Sequence, residues 1–229
     1  MNRSLLFAAL FALSGIAAAQ APAKTSRGLD IDKVNGSITA EASHTYGDLS
    51  TVNGGITIEP HAQIAEANTV NGSIRAGEDL HARSLTTVNG SIHVGARSQV
   101  DGGIETVNGG IFVDRGGKVS RGLTTVNGAI GIVETALGGG IETVNGDITV
   151  GVGSYVKGGI HVQKPSKGWS MFQMGKQKIP RIVIGPHAVV EGPMVFEREV
   201  MLYVNTSAKI GSITGGAARR FDGATPPPE

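Results

Sequence analysis

Three groups of residues in this chain have types and spacing that bear on chemistry. Glu105 and Glu142 occupy the same place in a repeating unit, and paired carboxylates serve as acid and base in glycoside cleavage. The six histidines, His44, His61, His81, His93, His161 and His187, are the residues that would ligate a transition metal. Lys164, Lys167, Trp169, Met171, Phe172 and Met174 concentrate apolar and basic side chains in a chain that is only 4% aromatic and has one tryptophan. Trp and Met with a basic rim is the composition of a contact surface rather than of a reaction centre.

The first two groups are not arranged for reaction. Glu142 follows Glu105 by two repeat units, with Thr124 in the unit between, so stacked units would hold the carboxylates about 10 Å apart. That distance suits an inverting pair, yet both side chains would leave a flat surface in the same direction, with no cleft. The histidines show neither H-x-H nor H-E-x-x-H spacing, and there is no cysteine to join them. Gly138-Gly139-Gly140 runs into Ile141-Glu142 without the recurring aspartate of a calcium roll. No catalytic, metal-ligating or cofactor-binding residue is therefore expected, and the reading is of a protein that is not an enzyme.

The elements that carry these residues are set by a repeat. Val-Asn-Gly recurs with its asparagine at Asn35, Asn53, Asn71, Asn89, Asn108, Asn127 and Asn145, and Ile stands three residues after each. A period of 18 or 19 residues signals a solenoid whose coils bury their apolar residues only by stacking. From Val52 the positions Val52, Ile58, Ile64, Val70, Ala76, Ala82 and Val88 lie six apart, which predicts a triangular coil of three short faces, each with one inward aliphatic residue. The fold class is thus all-β, a parallel β-helix with about 18 residues per coil. Two extra residues are expected as bulges near Gly102-Gly103 and Gly116-Gly117, where glycine makes a bulge sterically cheap.

Asn-Gly at one point of every coil reads as a corner taken in left-handed backbone conformation. The stacked asparagines, one strand spacing of about 4.8 Å apart, would form a ladder of side-chain amides that offsets their burial. Val52, Val70, Val88, Val107, Val126 and Val144 are expected inside beside it. Thr51, Thr69, Thr87, Thr106, Thr125 and Thr143 form a second column, read as an exposed strand position; as a flat hydroxyl array it would bind ice or a glycan.

Residues 1–19 read as a signal peptide, with Arg3 ahead of the apolar run Leu5 to Ala19 and an Ala17-Ala18-Ala19 cleavage signal before Gln20. The run is too short and alanine-rich for a spanning helix, so no transmembrane anchor is expected after cleavage, and the protein would be exported to the periplasm, the cell surface or beyond. Residues 20–26 read as a disordered leader, 27–162 as the TVNG-repeat solenoid, 163–179 as a protruding basic and aromatic loop, 180–214 as C-terminal coils and cap, and 215–229 as a disordered tail. Twenty basic against nineteen acidic residues imply no general affinity for nucleic acid. The expected partners are a second copy, or an envelope protein or glycan, met through the loop.

The TVNG-x-I cassettes from Arg27 to Val162 resemble those of a bacterial family of secreted, adhesin-type β-solenoids. The segment Ile182 to Gly211, with Ile184-Gly185-Pro186-His187-Ala188-Val189-Val190, is more similar to the coils of bactofilins, the polymer-forming bacterial scaffolds. These resemblances imply a right-handed parallel β-helix in the cell envelope with no assigned enzymatic activity. Bactofilins are mostly cytoplasmic, and the signal peptide departs from that pattern.

Overall fold

The structure, a computed structural model, describes residues 28–165 and 178–227. The expected signal peptide and leader, and Lys167, Trp169, Met171, Phe172 and Met174 of the loop, lie outside the described residues. Every strand pairing is parallel, and the strands form three sheets of ten, ten and seven strands. Consecutive strands of the chain enter different sheets, and each returns one coil later to pair with its predecessor. The result is an all-β solenoid of about ten coils with a three-sided cross-section, and at about 4.8 Å per coil the stack is roughly 45 Å long. Among the described residues there is no helix, and so none long and apolar enough to cross a membrane.

Face one carries strands such as Tyr46–Asn53 and Ser84–Asn89, face two carries Ile56–Ile58 and Ile92–Val94, and face three carries two-residue strands such as His81–Ala82 and Gln99–Val100. β-branched residues dominate because they suit a pleated, half-buried surface. Register is set by identity: Ile56, Ile74, Ile92, Ile111, Ile130 and Ile148 lie in successive pairs down face two. A slip of one residue would turn this file outward, so apolar repetition and register enforce each other.

Of the six-residue series, the positions on faces two and three are buried, as at Ile58, Val94 and Val100. The third is not: Val52, Val70, Val88, Val107, Val126 and Val144 are half-exposed, while the threonine before each is 1–4% exposed. Strand alternation explains the inversion. Leu49 and Thr51 point inward together, Val52 then points out, and the corner falls between Asn53 and Ile56, so the six-residue period is interrupted there. Gly138 drops out of the series because one residue is lost between Ile132 and Ala136, so that Leu137 holds the buried place in register with Val119.

The first extra residue lies where expected, since Ala82 pairs with Val100 but Leu85 with Ile104. The second does not lie at Gly116-Gly117. The corner between faces three and one simply stays long in the next coil, at Ser120-Arg121-Gly122, and the coil after it shortens between Ile132 and Ala136.

At the Asn-Gly corner no asparagine has a positive φ, and of the glycines only Gly36 (φ +108°) and Gly128 (φ +158°) do. Glycine is required there by closeness instead. A Cβ on Gly54, Gly72, Gly90 or Gly109 would lie 1.9–2.2 Å from the carbonyl oxygen of the corner glycine one coil earlier. The left-handed corner is the one between faces two and three. Ser43, His61, Asp79, Arg97, Gly116, Glu134, Gly153 and His187 stack there with φ between 43° and 75°. This conformation costs a residue with a Cβ about 1–2 kcal/mol. It also aims each N–H at the next coil, as from His61 to Glu78 O (3.0 Å) and from Asp79 to Ala96 O (2.9 Å).

The chain keeps coiling past residue 214, where the sequence suggested a disordered tail. Ala218–Phe221 pairs with Met201–Asn205 as the last strand of face two. Tyr203, within the 180–214 segment read as C-terminal coils and cap, lies outside the main core and forms a small separate cluster with Val183 and Phe221. The guanidinium groups of Arg181 (5.0 Å) and Arg219 (5.9 Å) both lie over its ring. Phe196 and Leu202 lie in the main core.

Candidate functional site

Two polar files run along the solenoid where faces one and two meet. In the first, each asparagine amide donates to the Oδ1 of the asparagine one coil earlier: Asn53 to Asn35 at 3.0 Å, Asn71 to Asn53 at 2.9 Å, and onward through Asn89, Asn108 and Asn127 to Asn145 at 2.9–3.0 Å. The file lies on the surface rather than inside: Asn35 to Asn108 are exposed, and Asn127 and Asn145 half-buried. One N–H and one lone pair of each inner rung are thus committed to neighbours, and the remainder meet water.

The second file is the threonine column, and it is internal. Thr51 Oγ1 donates to Gly36 O at 3.0 Å, and Thr69, Thr87, Thr106 and Thr125 donate to Gly54, Gly72, Gly90 and Gly109 O at 2.8–3.0 Å. Each hydroxyl hooks the corner of the coil before it, which is why a polar group sits in the core without penalty. Coil one, with no described coil before it, has Lys33 at this place, and its Nζ donates to Ser37 O at 2.8 Å. Thr143 occupies the same place in coil seven, and its buried Oγ1 has no hydrogen-bond partner. These hydroxyls are therefore not the outward array that an ice- or glycan-binding face would need.

Glu105, Thr124 and Glu142 are consecutive in register on the outer surface of face one, so the two carboxylates do lie two coils apart on one flat side. His161 follows Glu142 in the same column. At the left-handed corner, ligand atoms of His61, Glu78 and Asp79 lie within 4.8 Å of one another. Arg97 already engages both carboxylates, with Nε to Asp79 Oδ1 at 3.0 Å, Nη2 to Asp79 Oδ2 at 2.7 Å and Nη2 to Glu78 Oε2 at 2.6 Å. The hydrogen bond from Arg97 holds the Asp79 carboxyl below the usual carboxylate range, against a smaller opposing effect of desolvation. This cluster is an ion-paired surface group in which Arg97 engages two of the three side chains.

Among the proposed contact residues, Lys164 alone is described, and it is exposed. It stands on the departing stem of the segment inserted into coil eight between Ile160–Val162 and Arg181–Ile184. Carboxylates hold both stems. Glu197 accepts the Lys164 N–H on Oε2 at 3.1 Å and lies 2.9 Å from His161 Nε2 through Oε1. Asp147 accepts from Lys178 Nζ and, on Oδ1, from the Arg181 N–H at 2.9 Å. The Lys164 N–H, and after it His161, depress the Glu197 pKa. Neither Asp147 nor Glu197 stands out in the sequence, because their role follows from where the insertion leaves and rejoins the stack.

No family model matches this chain, and no curated protein or solved structure is significantly similar to it.

Proposed function

We propose that this protein is a non-enzymatic structural or adhesive rod of the cell envelope, acting through repeated surfaces or by self-association. The observation that carries the reading is the continuity of the two polar files. Seven asparagines and five threonine hooks tie the first seven of about ten coils together, so that part of the body is a stiff, periodic support whose outward columns repeat from coil to coil. The likeness of the TVNG cassettes to secreted adhesin-type solenoids and the expected signal peptide together favour an exported location. The insertion, anchored at both stems to a rigid body, is the part best placed to meet a second copy, an envelope protein or a glycan.

The test is the size of the mature protein against concentration by sedimentation, with envelope retention in the parent cell measured alongside. Deleting residues 167–176 and rejoining the ends with glycines is expected to leave the melting temperature within a few degrees and to abolish self-association or retention. A protein that stays monomeric and is not retained, or a deletion that changes neither property, overturns the reading. Turnover of an envelope polysaccharide lost in both Glu105→Gln and Glu142→Gln would replace it with an enzymatic one.

A further inference from the structure

The asparagine file stops at Asn145, and the next two rungs are basic. Val162 pairs with Thr143 and Phe196 with Val162, so two residues further on Lys164 and Arg198 hold the file's places in coils eight and nine. Lys164 follows the departing stem and gives its N–H to Glu197. Arg198 reaches back across the level of coil eight. Its Nη1 donates to Asn145 Oδ1 and to Val144 O (3.0 Å), and its Nη2 to Lys178 O (3.1 Å).

Each asparagine in the file donates backward, so the last Oδ1 needs a donor from outside the file. A guanidinium is suited to the task because its planar fork serves several acceptors at once, which an ammonium on a flexible stem does not. We propose that Arg198 is a latch that closes the asparagine file and ties it to the returning stem of the insertion, while the adjacent Glu197 ties down the departing stem. One dipeptide thereby fixes both stems, and Asp147 in coil seven also grips the returning stem. Displacing either stem then disturbs the end of the file, and loosening that end frees the stems. The latch holds whether or not the insertion meets a partner, so it stands or falls separately from the function proposed above.

The test is amide hydrogen exchange in the full mature chain, read by NMR at Lys164 and Arg181. The Arg181 N–H bonds to Asp147 Oδ1, so its response to a change at Arg198 reports coupling rather than direct loss of a bond. In Arg198→Ala both amides are expected to exchange roughly tenfold faster, the consequence of losing a charge-assisted contact. Asn71→Ala, in the middle of the file, should leave both within about twofold of the parent. If Arg181 is likewise unmoved in Arg198→Ala, Arg198 only caps the file and the latch is wrong. If Arg198→Ala does not fold, Arg198→Lys is read the same way, and parental exchange at Arg181 in that variant also overturns the proposal.

Discussion

Coils two to seven and coils eight to ten share one backbone geometry and hold it by different chemistry. In the earlier coils the places on either side of Val52 and its equivalents are Thr and Asn, and the stack is tied by hydroxyl-to-carbonyl and amide-to-amide bonds. In coils eight and nine the threonine places become Val162 and Phe196, and the asparagine places become Lys164 and Arg198. Apolar bulk in the core, the external Val183, Tyr203 and Phe221 cluster, and guanidinium contacts replace the polar files. A parallel coil thus needs its corner acceptors satisfied and its interior filled, and more than one set of side chains meets both needs.

The largest effect within the regular coils should come from the corner glycines. A Cβ on Gly90 would lie 2.0 Å from Gly72 O, a backbone atom that cannot move without parting two coils. Gly90→Ala is expected to destabilise by about 4 kcal/mol or more, in the range of mutations that force backbone apart. Gly131→Ala, whose Cβ would meet only the exposed Phe112 side chain at 3.0 Å and no backbone, should cost about 1 kcal/mol or less. Chemical denaturation of the pair measures the contrast, and similar losses would mean that stacking at the corner is looser than the 2.0 Å approach implies.

The threonine hooks give a sharper comparison within one file. Thr87→Val leaves the part-buried Gly72 O without its donor and is expected to cost about 1–3 kcal/mol. Thr143→Val should be neutral or stabilising, because the hydroxyl it removes has no partner. Coil eight already has valine at this place. Equal costs at the two positions would show that the hydroxyl contacts contribute little and that β-branched shape alone is selected.

Asn89→Ala breaks one rung of an exposed file whose members also reach water, so a loss of about 0.5–1.5 kcal/mol is expected, less than at Thr87. Its melting temperature against that of Thr87→Val ranks the two files. A larger loss at Asn89 would make the outer file, not the inner one, the principal tie.

How much of this was legible in the sequence follows from which atoms the repeat constrains. Coil length, three faces and the isoleucine file were readable because identical apolar residues recur at a fixed period. The asparagine file was readable too, since side chains of one type at one coil spacing can only meet each other. The orientation of Thr-Val was not, because hydropathy assigns valine inward, and the acceptor that lets threonine replace it is a carbonyl one coil away. The left-handed column was hidden for the opposite reason: its members are Ser, His, Asp, Arg, Gly and Glu, alike only in backbone conformation. Arg198 was within reach by counting two residues past the register of Val162 and Phe196, but that register is known only once the insertion is bridged.

The smallest contrast is electrostatic and appears only in acid. Asp79 in the regular coils and Glu197 at the insertion are both held below their ordinary range, the first by Arg97 and the second by the Lys164 N–H and then His161. A depressed carboxylate contributes stability that is fully present above its unfolded pKa of about 4 and is lost as pH falls through the lower folded value. Both contributions should therefore be intact at neutral pH and fade together below about pH 4. Because Glu197 is exposed and Asp79 only partly covered, screening keeps each effect small. Arg97→Ala should abolish the acid-dependent part at Asp79 and raise that carboxyl's pKa toward the ordinary value, with Glu197 unmoved. His161→Ala should raise Glu197 only in part, because the Lys164 N–H remains. Carboxyl titration by NMR from about pH 6 to 2 reads both residues in one experiment. If Glu197 returns fully to its ordinary value in His161→Ala, the backbone tether to Lys164 is not formed in solution, and the departing stem is held by the histidine alone.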